Sequence, residues 1–317
     1  MPDCCARVNK LFIRIGTERM RPRISVVIPT IEERSIFGLV SDIRRLLGRG
    51  TEIIIVDKSS SGYRRRLRSL GVKVIAQRDR GVENAIMLGL RAANGELLAS
   101  IDADGTHDIS GLASGARIVE SGKADMVLGN RMGSLEQGSM GPYIIVGNAF
   151  LSKLFSVLYR ERVHDVLTGL FVMKREAFES IRDETPYRAG ISFFAIELAR
   201  RGYRLNEVDI RYYKRKYGKS KLTRSKLAYG VNVASHLIRQ IRDYSPLLIF
   251  GGIGVVLAMI GLAAGAAVVA QFIQSGTFSL TGRALFSFML IVIGLLFFVS
   301  GLILDILIEI EKRLMRK

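Results

Sequence analysis

The sequence predicts an α/β domain built on a mostly parallel sheet with helices on both faces, followed by interfacial amphipathic helices and a two-helix transmembrane hairpin. Three observations support this fold class. Short β-rich runs alternate with helical segments in the first third of the chain, two long C-terminal runs are uncharged, and most of the positive charge precedes those runs. Strict alternation of strands and helices is typical of a parallel sheet.

Length and composition exclude several protein classes. A chain of 317 residues has room for about two domains, and its 49% hydrophobic content excludes an intrinsically disordered protein or a disulfide scaffold. The two cysteines, Cys4 and Cys5, are adjacent, so they form neither a metal site nor a disulfide framework by themselves. They lie in residues 1–22, a predicted N-terminal extension without the apolar run of a secretory signal.

The first four strands are predicted from short runs rich in β-branched residues. These runs lie at residues 24–28, 52–56, 72–76 and 96–101. The helical segments between them, with apolar residues three and four positions apart, lie at residues 34–47, 62–70 and 82–93. Because parallel α/β sheets bind ligands at the carboxyl ends of their strands, the polar residues after each run are the candidates for a site.

Asp102 and Asp104 are the sharpest of these candidates. Side chains two positions apart at the end of an extended strand point the same way, so both carboxylates face one site. Paired carboxylates form a hard oxygen site for Mg²⁺ or Mn²⁺, the ions that bridge diphosphate oxygens. The alternative is an ordinary polar turn, but the position after an apolar strand favours the metal site.

The rest of the α/β domain, which is predicted to occupy residues 23–221, continues the sheet. Further strands are predicted at residues 125–128, 170–173 and 204–212, and a helix at residues 191–201. A cationic loop at residues 214–221 then precedes the membrane segments. Such a loop is either a solvated charged surface or a site for anionic headgroups or a lipid phosphate, and its place beside a membrane entrance favours the second interpretation.

Two segments, residues 148–160 and 222–245, have an amphipathic pattern of apolar and basic side chains. Each pattern fits either a core-facing helix or a helix that lies flat in the membrane interface. Residues 222–245 directly precede the uncharged C-terminal runs, so they are predicted to form a juxtamembrane helix. We expect at least one of the two segments to lie at the interface.

The C-terminal part, residues 246–317, is predicted to cross the membrane at about residues 246–273 and 284–308 and to end in a basic tail. Each run supplies the ~20 uncharged residues that a spanning helix needs, more than a buried core hairpin requires. This part carries five basic and three acidic side chains, which leaves +16 of the total +18 ahead of it. Basic residues flank the two spans, so both termini and the large N-terminal part are predicted to be cytoplasmic, at the plasma membrane of a prokaryote.

Short motifs follow one another in a fixed order between residues 24 and 222. They are VIPT at 27–30 followed by Glu33, IIVD at 54–57, AIMLGLRAANG at 85–95, DAD at 102–104, GNR at 129–131, DVLTGLF at 165–171, and Arg215 with Gly218, Ser220 and Lys221. Each motif is weak alone. In this order they resemble the inverting glycosyltransferases of family 2, which have a GT-A fold, and in particular the polyprenyl-phosphate glycosyltransferases related to dolichol-phosphate mannose synthase.

The resemblance implies a role for each candidate residue. The residues implied to bind a nucleotide sugar are Pro29, Glu33, Asp57, Asp102 and Asp165. The residues implied to bind the lipid phosphate are Arg131, Arg215, Ser220 and Lys221. Asp102 and Asp104 would hold the metal, Asp165 would line the sugar side of the pocket, and catalysis would depend on Asp104, Arg131 and Arg215. Structural alternatives stay open, since Pro29 can shape a turn and Asp165 can cap an element.

Several positions depart from the family pattern. Ile31 and Glu32 replace the usual Tyr-Asn pair, and Lys58 replaces the usual second acidic residue after Asp57, so these positions do not support the base recognition that the family pattern implies. Thr106 stands where many relatives have a glutamine that assists the metal. Its hydroxyl or a water molecule would complete the metal shell.

The reaction implied by the resemblance moves a hexose, mannose or glucose, from GDP-mannose or UDP-glucose to polyprenyl (dolichyl) phosphate, yielding a lipid-linked sugar donor. A phosphate monoester is anionic at neutral pH, so it can attack the anomeric carbon without a general base, and a single displacement inverts that carbon. The metal and the basic side chains would stabilise the leaving diphosphate. The implied partners are these two substrates and the bilayer, without nucleic acid, and a homo-oligomer stays open.

Two alternatives compete with this reaction. A processive polysaccharide synthase would share the donor site, but such enzymes usually carry a QxxRW-like motif, and the chain contains no tryptophan. A non-catalytic membrane-tethered protein that binds anionic lipid or nucleic acid would explain the charge, but it leaves Asp102 and Asp104 without a use.

Overall fold

The computed structural model of the chain describes residues 22–78, 81–184, 191–217, 246–275 and 281–315. Its contacts divide the chain into two compact units, Met1–Gly230 and Val231–Lys317, here called the N-terminal unit and the C-terminal unit. The predicted N-terminal extension and the predicted juxtamembrane helix at 222–245 fall almost entirely outside the described residues.

The N-terminal unit alternates strands and helices along the chain. Its strands are β1 (Ile24–Thr30), β2 (Glu52–Asp57), β3 (Lys73–Ala76), β4 (Leu97–Ser100), β5 (Met126–Asn130), β6 (Phe171–Lys174) and β7 (Leu205–Asp209). Its helices are α1 (Ile36–Leu47), α2 (Ser61–Arg68), α3 (Val82–Arg91), α4 (Ser110–Glu120), α5 (Pro142–Tyr159), α6 (Arg175–Ile181) and α7 (Phe193–Arg200).

The seven strands form one sheet in the order β3-β2-β1-β4-β6-β5-β7. β6 runs antiparallel to both of its neighbours, while the other adjacent pairs are parallel. The predicted mostly parallel α/β sheet is therefore confirmed. The reversal follows from connectivity: β5 ends at the carboxyl edge of the sheet, and the chain re-enters at β6 from that same edge. The segment between β5 and β6 consequently lies beside the edge where ligands bind.

Helices cover both faces of the sheet. Ile24, Val26 and Ile28 of β1 are buried on one face in a cluster with side chains of α1 and α4. Val27 points to the other face, where it meets α3 so closely that a Cβ added to Gly89 would lie 2.3 Å from its Cγ1. Burial on both faces explains why the central strands are continuous apolar runs.

Two helices of this unit were not predicted. α4 contains Gly111 and Gly115, and glycine lowers helix propensity. Both glycines sit where the helix packs tightly on the sheet, since an added Cβ would lie 2.6 Å from Ile210 at Gly111 and 3.0 Å from Val172 at Gly115. Packing against the sheet therefore stabilises α4 despite the low helix propensity of its glycines. The second, α6, spans only seven residues.

The C-terminal unit contains a π-helical turn at Leu247–Gly251 and two long helices, α8 (Gly252–Ser275) and α9 (Thr281–Met315). Small residues let the two helices approach closely: a Cβ added to Gly254 would lie 2.4 Å from the carbonyl oxygen of Gly294. The hydroxyl of Ser287 donates a hydrogen bond to the Gly261 carbonyl at 2.7 Å. Such contacts are typical of helix pairs in membranes.

Three described helices are long and apolar enough to cross a membrane, namely Pro142–Tyr159, Ile249–Gln274 and Gly282–Leu307. The second and third agree with the predicted spans. The first belongs to α5, which begins six residues before the predicted segment and buries Asn148, Leu151, Ser152 and Phe155. This buried face includes polar side chains that are hydrogen-bonded to residues 165 and 166. One side of α5 therefore packs against the rest of the N-terminal unit.

Candidate functional site

The carboxyl ends of β1, β2 and β4 meet at one edge of the sheet. Thr30, the last residue of β1, pairs with Asp57, the last residue of β2. Residues 102–104 follow β4, which pairs with β1 on its other side. Because these strands are parallel, the side chains that follow them share this edge. The acidic residues predicted from the sequence are therefore neighbours.

Asp104 lies in a tight turn that Thr106 stabilises. Its Oδ1 accepts hydrogen bonds from the Thr106 backbone nitrogen at 3.1 Å and from the Thr106 hydroxyl at 2.7 Å. Gly105 between them has a φ of 71°, which glycine adopts without steric cost. The Asp104 carbonyl accepts a hydrogen bond from the Ser35 hydroxyl at 3.0 Å, which connects the turn to the start of α1. Thr106 thus orients the carboxylate of Asp104.

Asp102 packs directly against Gly169 of the DVLTG motif. A Cβ added to Gly169 would lie 2.3 Å from Asp102 Oδ2 and 2.5 Å from its Cγ. Real Cβ atoms do not approach other atoms this closely, so any larger residue at 169 would displace the carboxylate. Gly169 therefore shapes the space that Asp102 occupies. The sequence shows a glycine at position 169 within the DVLTG motif, but it does not show that Asp102 is the neighbour of this glycine.

The electrostatics of Asp102 and Asp104 favour a bound cation. Burial and the charge of Asp104 raise the pKa of Asp102 to about 7, against the opposing effect of Arg131 and Arg215. Within the described ranges, no group of three or more His, Cys, Asp and Glu side chains could enclose a metal ion. Mg²⁺ and Mn²⁺ do not need such a cage, because they bind one or two carboxylates and complete their shell with water and substrate phosphate. The two carboxylates fit this kind of metal.

Arg215 connects the residues that follow β1 and β4. Its Nη2 donates to Glu33 Oε1 at 2.7 Å and lies 3.5 Å from Asp104 Oδ2. Its Nε is buried and has no hydrogen-bond partner among the residues that the structure describes. A guanidinium with an unused donor beside the carboxylates is suited to an incoming phosphate oxygen.

Arg131 is fixed by a bidentate ion pair. Its Nε donates to Asp165 Oδ2 at 2.6 Å and its Nη2 to Asp165 Oδ1 at 2.7 Å, while its backbone nitrogen donates to Oδ2 at 3.0 Å. The guanidinium also stacks over the ring of Tyr212, with its carbon 5.3 Å from the ring centroid. Burial opposes the charged form, but Asp165 outweighs this effect and raises the pKa of Arg131. Arg131 is therefore a permanently charged group close to Asp102.

Asp165 lies fully buried, with its carboxylate directed at Arg131. It also accepts a hydrogen bond from Asn148 at 2.9 Å, and its backbone nitrogen donates to Glu207 at 2.9 Å. Its observed contacts orient Arg131. That Asp165 lines the sugar side of the pocket stays a prediction.

Asp57 and Pro29 mark the predicted nucleotide side of the edge. Asp57 is buried at the end of β2 and accepts hydrogen bonds from the backbone nitrogen and the hydroxyl of Ser59. Burial raises the pKa of Asp57, and these bonds and Arg64 oppose the rise. Pro29 lies buried within β1 opposite Val56, so it belongs to the sheet rather than to a turn.

The histidines offer no exposed base in the described site. His107 is buried and packs edge-on against Tyr212, with ring centroids 5.2 Å apart. Burial and Arg131 lower the pKa of His107 well below its usual value, so its ring is neutral. His164 is exposed and pairs with Glu207, and His236 lies outside the described residues.

The structure brings most of the predicted site residues together at one edge. The residues assembled there are Glu33, Asp57, Asp102, Asp104, Arg131, Asp165 and Arg215. Ser220 and Lys221 lie outside the described residues. Asn148 and Tyr212 were not among the predicted site residues, and Gly169 was predicted only as part of its motif, because their contacts to the site come from segments far away along the chain.

Comparisons with known proteins identify the family. The sequence profile of a family described as "Glycosyl transferase family 2" matches residues 25–182. A dolichyl-phosphate hexose transferase of Haloferax volcanii is 30% identical over 208 residues, which cover 65% of this chain and 89% of that relative. The family match at residues 25–182 extends from β1 to α6 and so includes the strands β1, β2, β4, β5 and β6.

Two further relatives from Haloferax volcanii differ in how much of each chain they share. Glycosyltransferase AglJ is 24% identical over 299 residues, covering 93% of this chain and 96% of AglJ. The low-salt glycan biosynthesis hexosyltransferase Agl6 is 30% identical over 200 residues, covering 61% of this chain. The chain spans about half of Agl6, since the aligned region covers 48% of its length.

Proposed function

The chain belongs to glycosyl transferase family 2, and we propose from this that it moves a hexose from a nucleoside-diphosphate sugar to the phosphate of a polyprenyl carrier. The observation that carries the proposal is one cluster at the carboxyl edge of the sheet, in which Asp102 and Asp104 lie beside Arg131 and Arg215. A pair of carboxylates with two arginines suits a reaction between two phosphate-bearing substrates. The dolichyl-phosphate hexose transferase among the relatives supports the lipid acceptor.

Asp102 and Asp104 would hold a Mg²⁺ or Mn²⁺ ion on the diphosphate of the donor. This ion would supply positive charge to the leaving diphosphate. Thr106 keeps Asp104 oriented through two hydrogen bonds to one carboxylate oxygen, which leaves the other oxygen directed toward Arg215. Gly169 leaves the room that the Asp102 carboxylate needs.

Arg215 and Arg131 would bind phosphate oxygens. Arg215 has a buried donor without a described partner, and Glu33 holds its guanidinium beside the carboxylates. Arg131 is oriented by Asp165 and keeps its charge at any physiological pH. Both arginines stabilise negative charge during transfer, and Ser220 and Lys221 would extend this phosphate site. Such preorganised charge is usually the largest contribution to catalysis.

The acceptor phosphate needs no general base, since it is already an anion at neutral pH. It attacks the anomeric carbon in line with the departing diphosphate, so one displacement inverts that carbon. Asp57, which ends β2 beside the end of β1, would bind the base and ribose of the donor, and Pro29 would support that end of β1. The donor is GDP-mannose or UDP-glucose under this proposal.

The C-terminal unit would place the enzyme in the membrane. Its two apolar helices are long enough to span a bilayer, and the basic residues at their outer ends favour a cytoplasmic location for both termini and the catalytic unit. A polyprenyl phosphate presents its phosphate at the bilayer surface, so an enzyme anchored there meets this acceptor.

A transfer assay tests this proposal. Purified full-length protein is incubated with Mn²⁺, polyprenyl phosphate and radiolabelled GDP-mannose or UDP-glucose, and the label in the lipid extract is counted. We expect transfer from one donor and a loss of roughly a hundredfold or more in Asp104→Asn, because that variant weakens the metal site. The matched control is Asp42→Asn, which removes an exposed carboxylate on α1. Full activity in Asp104→Asn would contradict the role of Asp104.

A further inference from the structure

Helix α5 has two chemically different faces. The exposed face is apolar and carries Tyr143, Val146, Phe150 and Val157, whose exposed fractions range from 60% to 69%. The opposite face carries three polar side chains four residues apart, Asn148, Ser152 and Ser156. Residues four apart lie above one another on a helix, so these three form a polar row.

The polar row holds the segment that leads to β6. Ser156 Oγ donates to the Val163 carbonyl at 3.0 Å and accepts from the Val163 nitrogen at 3.2 Å. Ser152 Oγ accepts from the Val166 nitrogen at 3.0 Å. Among the described residues, both serines therefore form their side-chain hydrogen bonds with backbone atoms. Asn148 differs, because its partner is the carboxylate of Asp165.

Asn148 and Arg131 donate hydrogen bonds to the same carboxylate oxygen of Asp165. Asn148 Nδ2 donates to Asp165 Oδ1 at 2.9 Å, and this same oxygen accepts from Arg131 Nη2 at 2.7 Å. A carboxylate can only accept, so the amino group of Asn148 has to face it. Asn148 is 1% exposed, and its Oδ1 has no hydrogen-bond partner among the described residues. Among the described residues, the side-chain amide of Asn148 therefore forms its hydrogen bond with Asp165.

We infer that Asn148 is a positioning residue for Arg131, acting through Asp165. This inference rests on the proposed function, in which Arg131 binds the acceptor phosphate. Asn148 fixes the Oδ1 end of the carboxylate, while the Arg131 backbone nitrogen fixes the Oδ2 end. With both ends fixed, the plane of the Asp165 carboxylate is set. The two hydrogen bonds of the bidentate pair then align the guanidinium plane of Arg131 with it. Without Asn148 the plane rotates and the phosphate-binding geometry of Arg131 is lost.

The test compares Asn148→Ala with Ser156→Ala in the full-length protein. Both variants delete hydrogen bonds from the same face of α5, but the described hydrogen bonds of Ser156 go to the backbone of Val163. We expect Asn148→Ala to raise the KM for polyprenyl phosphate about tenfold, because hydrogen bonds to charged groups are the stronger ones. The KM for the nucleotide sugar should stay within about twofold in both variants, and Ser156→Ala should leave the acceptor KM unchanged. Asn148→Ser, whose shorter side chain does not reach Asp165, gives a second variant with the same expected result.

The outcomes separate the inference from the proposed function. If the wild type transfers hexose and Asn148→Ala and Asn148→Ser match Ser156→Ala in acceptor KM, the inference is overturned and the proposed function stands. Equal loss of affinity for donor and acceptor would show a general structural role and would also overturn it. If the wild type transfers no hexose to polyprenyl phosphate, both fail together.

Discussion

Single residues at the carboxyl edge depend on neighbouring side chains for their orientation. Asp104 depends on Thr106, two positions away, whereas Arg131 depends on the distant Asp165 and Asp102 on the missing side chain of the distant Gly169. The type of each charged residue was predictable from the motifs, because carboxylates and arginines suit a phosphate chemistry. Which residue each of them contacts was not predictable, because a sequence does not show which distant side chains are neighbours in the fold.

Gly169→Ala tests the dependence of Asp102 on this space. Its Cβ would lie 2.3 Å from Asp102 Oδ2, so the carboxylate has to move. Misplacement of a reacting group by about 1 Å costs roughly a hundredfold in rate, and we expect a loss of this size in kcat/KM together with weaker Mn²⁺ binding by calorimetry. The control is Gly133→Ala, because a Cβ at Gly133 meets no atom within 4 Å. Equal activity of the two variants would show that Gly169 does not shape the site.

Ion pairs of Asp125, just before β5, also connect this strand to β6 and β7. Asp125 binds Lys174 at the end of β6 at 2.7 Å and Arg204, next to β7, at 3.3 Å. Burial alone would raise the pKa of Asp125, but the hydrogen bonds from Lys174 and Arg204 outweigh it and lower the value to about 2. The stability that this carboxylate contributes is therefore present above its unfolded pKa and is lost as the pH falls toward 2.

Asp125→Asn should lower the free energy of unfolding of the N-terminal unit by about 1–2 kcal/mol at pH 7, because the carboxylate loses its charge. The difference from the wild type should shrink as the pH is lowered below the ordinary pKa of aspartate. Denaturant titrations at several pH values measure it, with Asp42→Asn as the exposed control, for which we expect less than about 0.5 kcal/mol. A difference that stays constant down to acid pH would contradict the role of the charge.

Helix α5 presents an exposed apolar face, which fits the prediction of an amphipathic helix at the membrane interface. The chain contains no tryptophan, so Phe150→Trp places a single tryptophan on this face, where Phe150 is 67% exposed. We expect brominated phospholipids in a bilayer to quench its emission, since tryptophan prefers the interface. Leu46→Trp, on the exposed side of α1, should stay unquenched. Quenching of neither tryptophan would place the exposed face of α5 in water.

The sequence pattern did not predict two features of the N-terminal unit, the direction of β6 and the helix α4. Periodicity located every strand of the sheet, but a four-residue strand such as β6 has the same pattern in either direction. Its direction depends on where the chain leaves β5. Gly111 and Gly115 weakened the pattern of α4, and only contact with the sheet explains them.

The whole molecule separates charge from apolarity along the chain. The basic N-terminal part carries the carboxyl edge with its paired carboxylates and arginines, and the C-terminal part carries two helices that can span a bilayer. This separation was predictable, since uncharged runs and basic flanks are visible in the sequence itself. It fits an enzyme whose two substrates are both anionic and whose acceptor is held in a membrane.

The mass of the lipid product tests the central claim most directly. The wild-type protein is incubated with Mn²⁺, the preferred nucleotide sugar and polyprenyl phosphate, and the lipid extract is analysed by mass spectrometry. The account predicts a lipid that has gained one hexose and retains its single phosphate. A product that carries a diphosphate, or the absence of any hexose on the lipid, would contradict it.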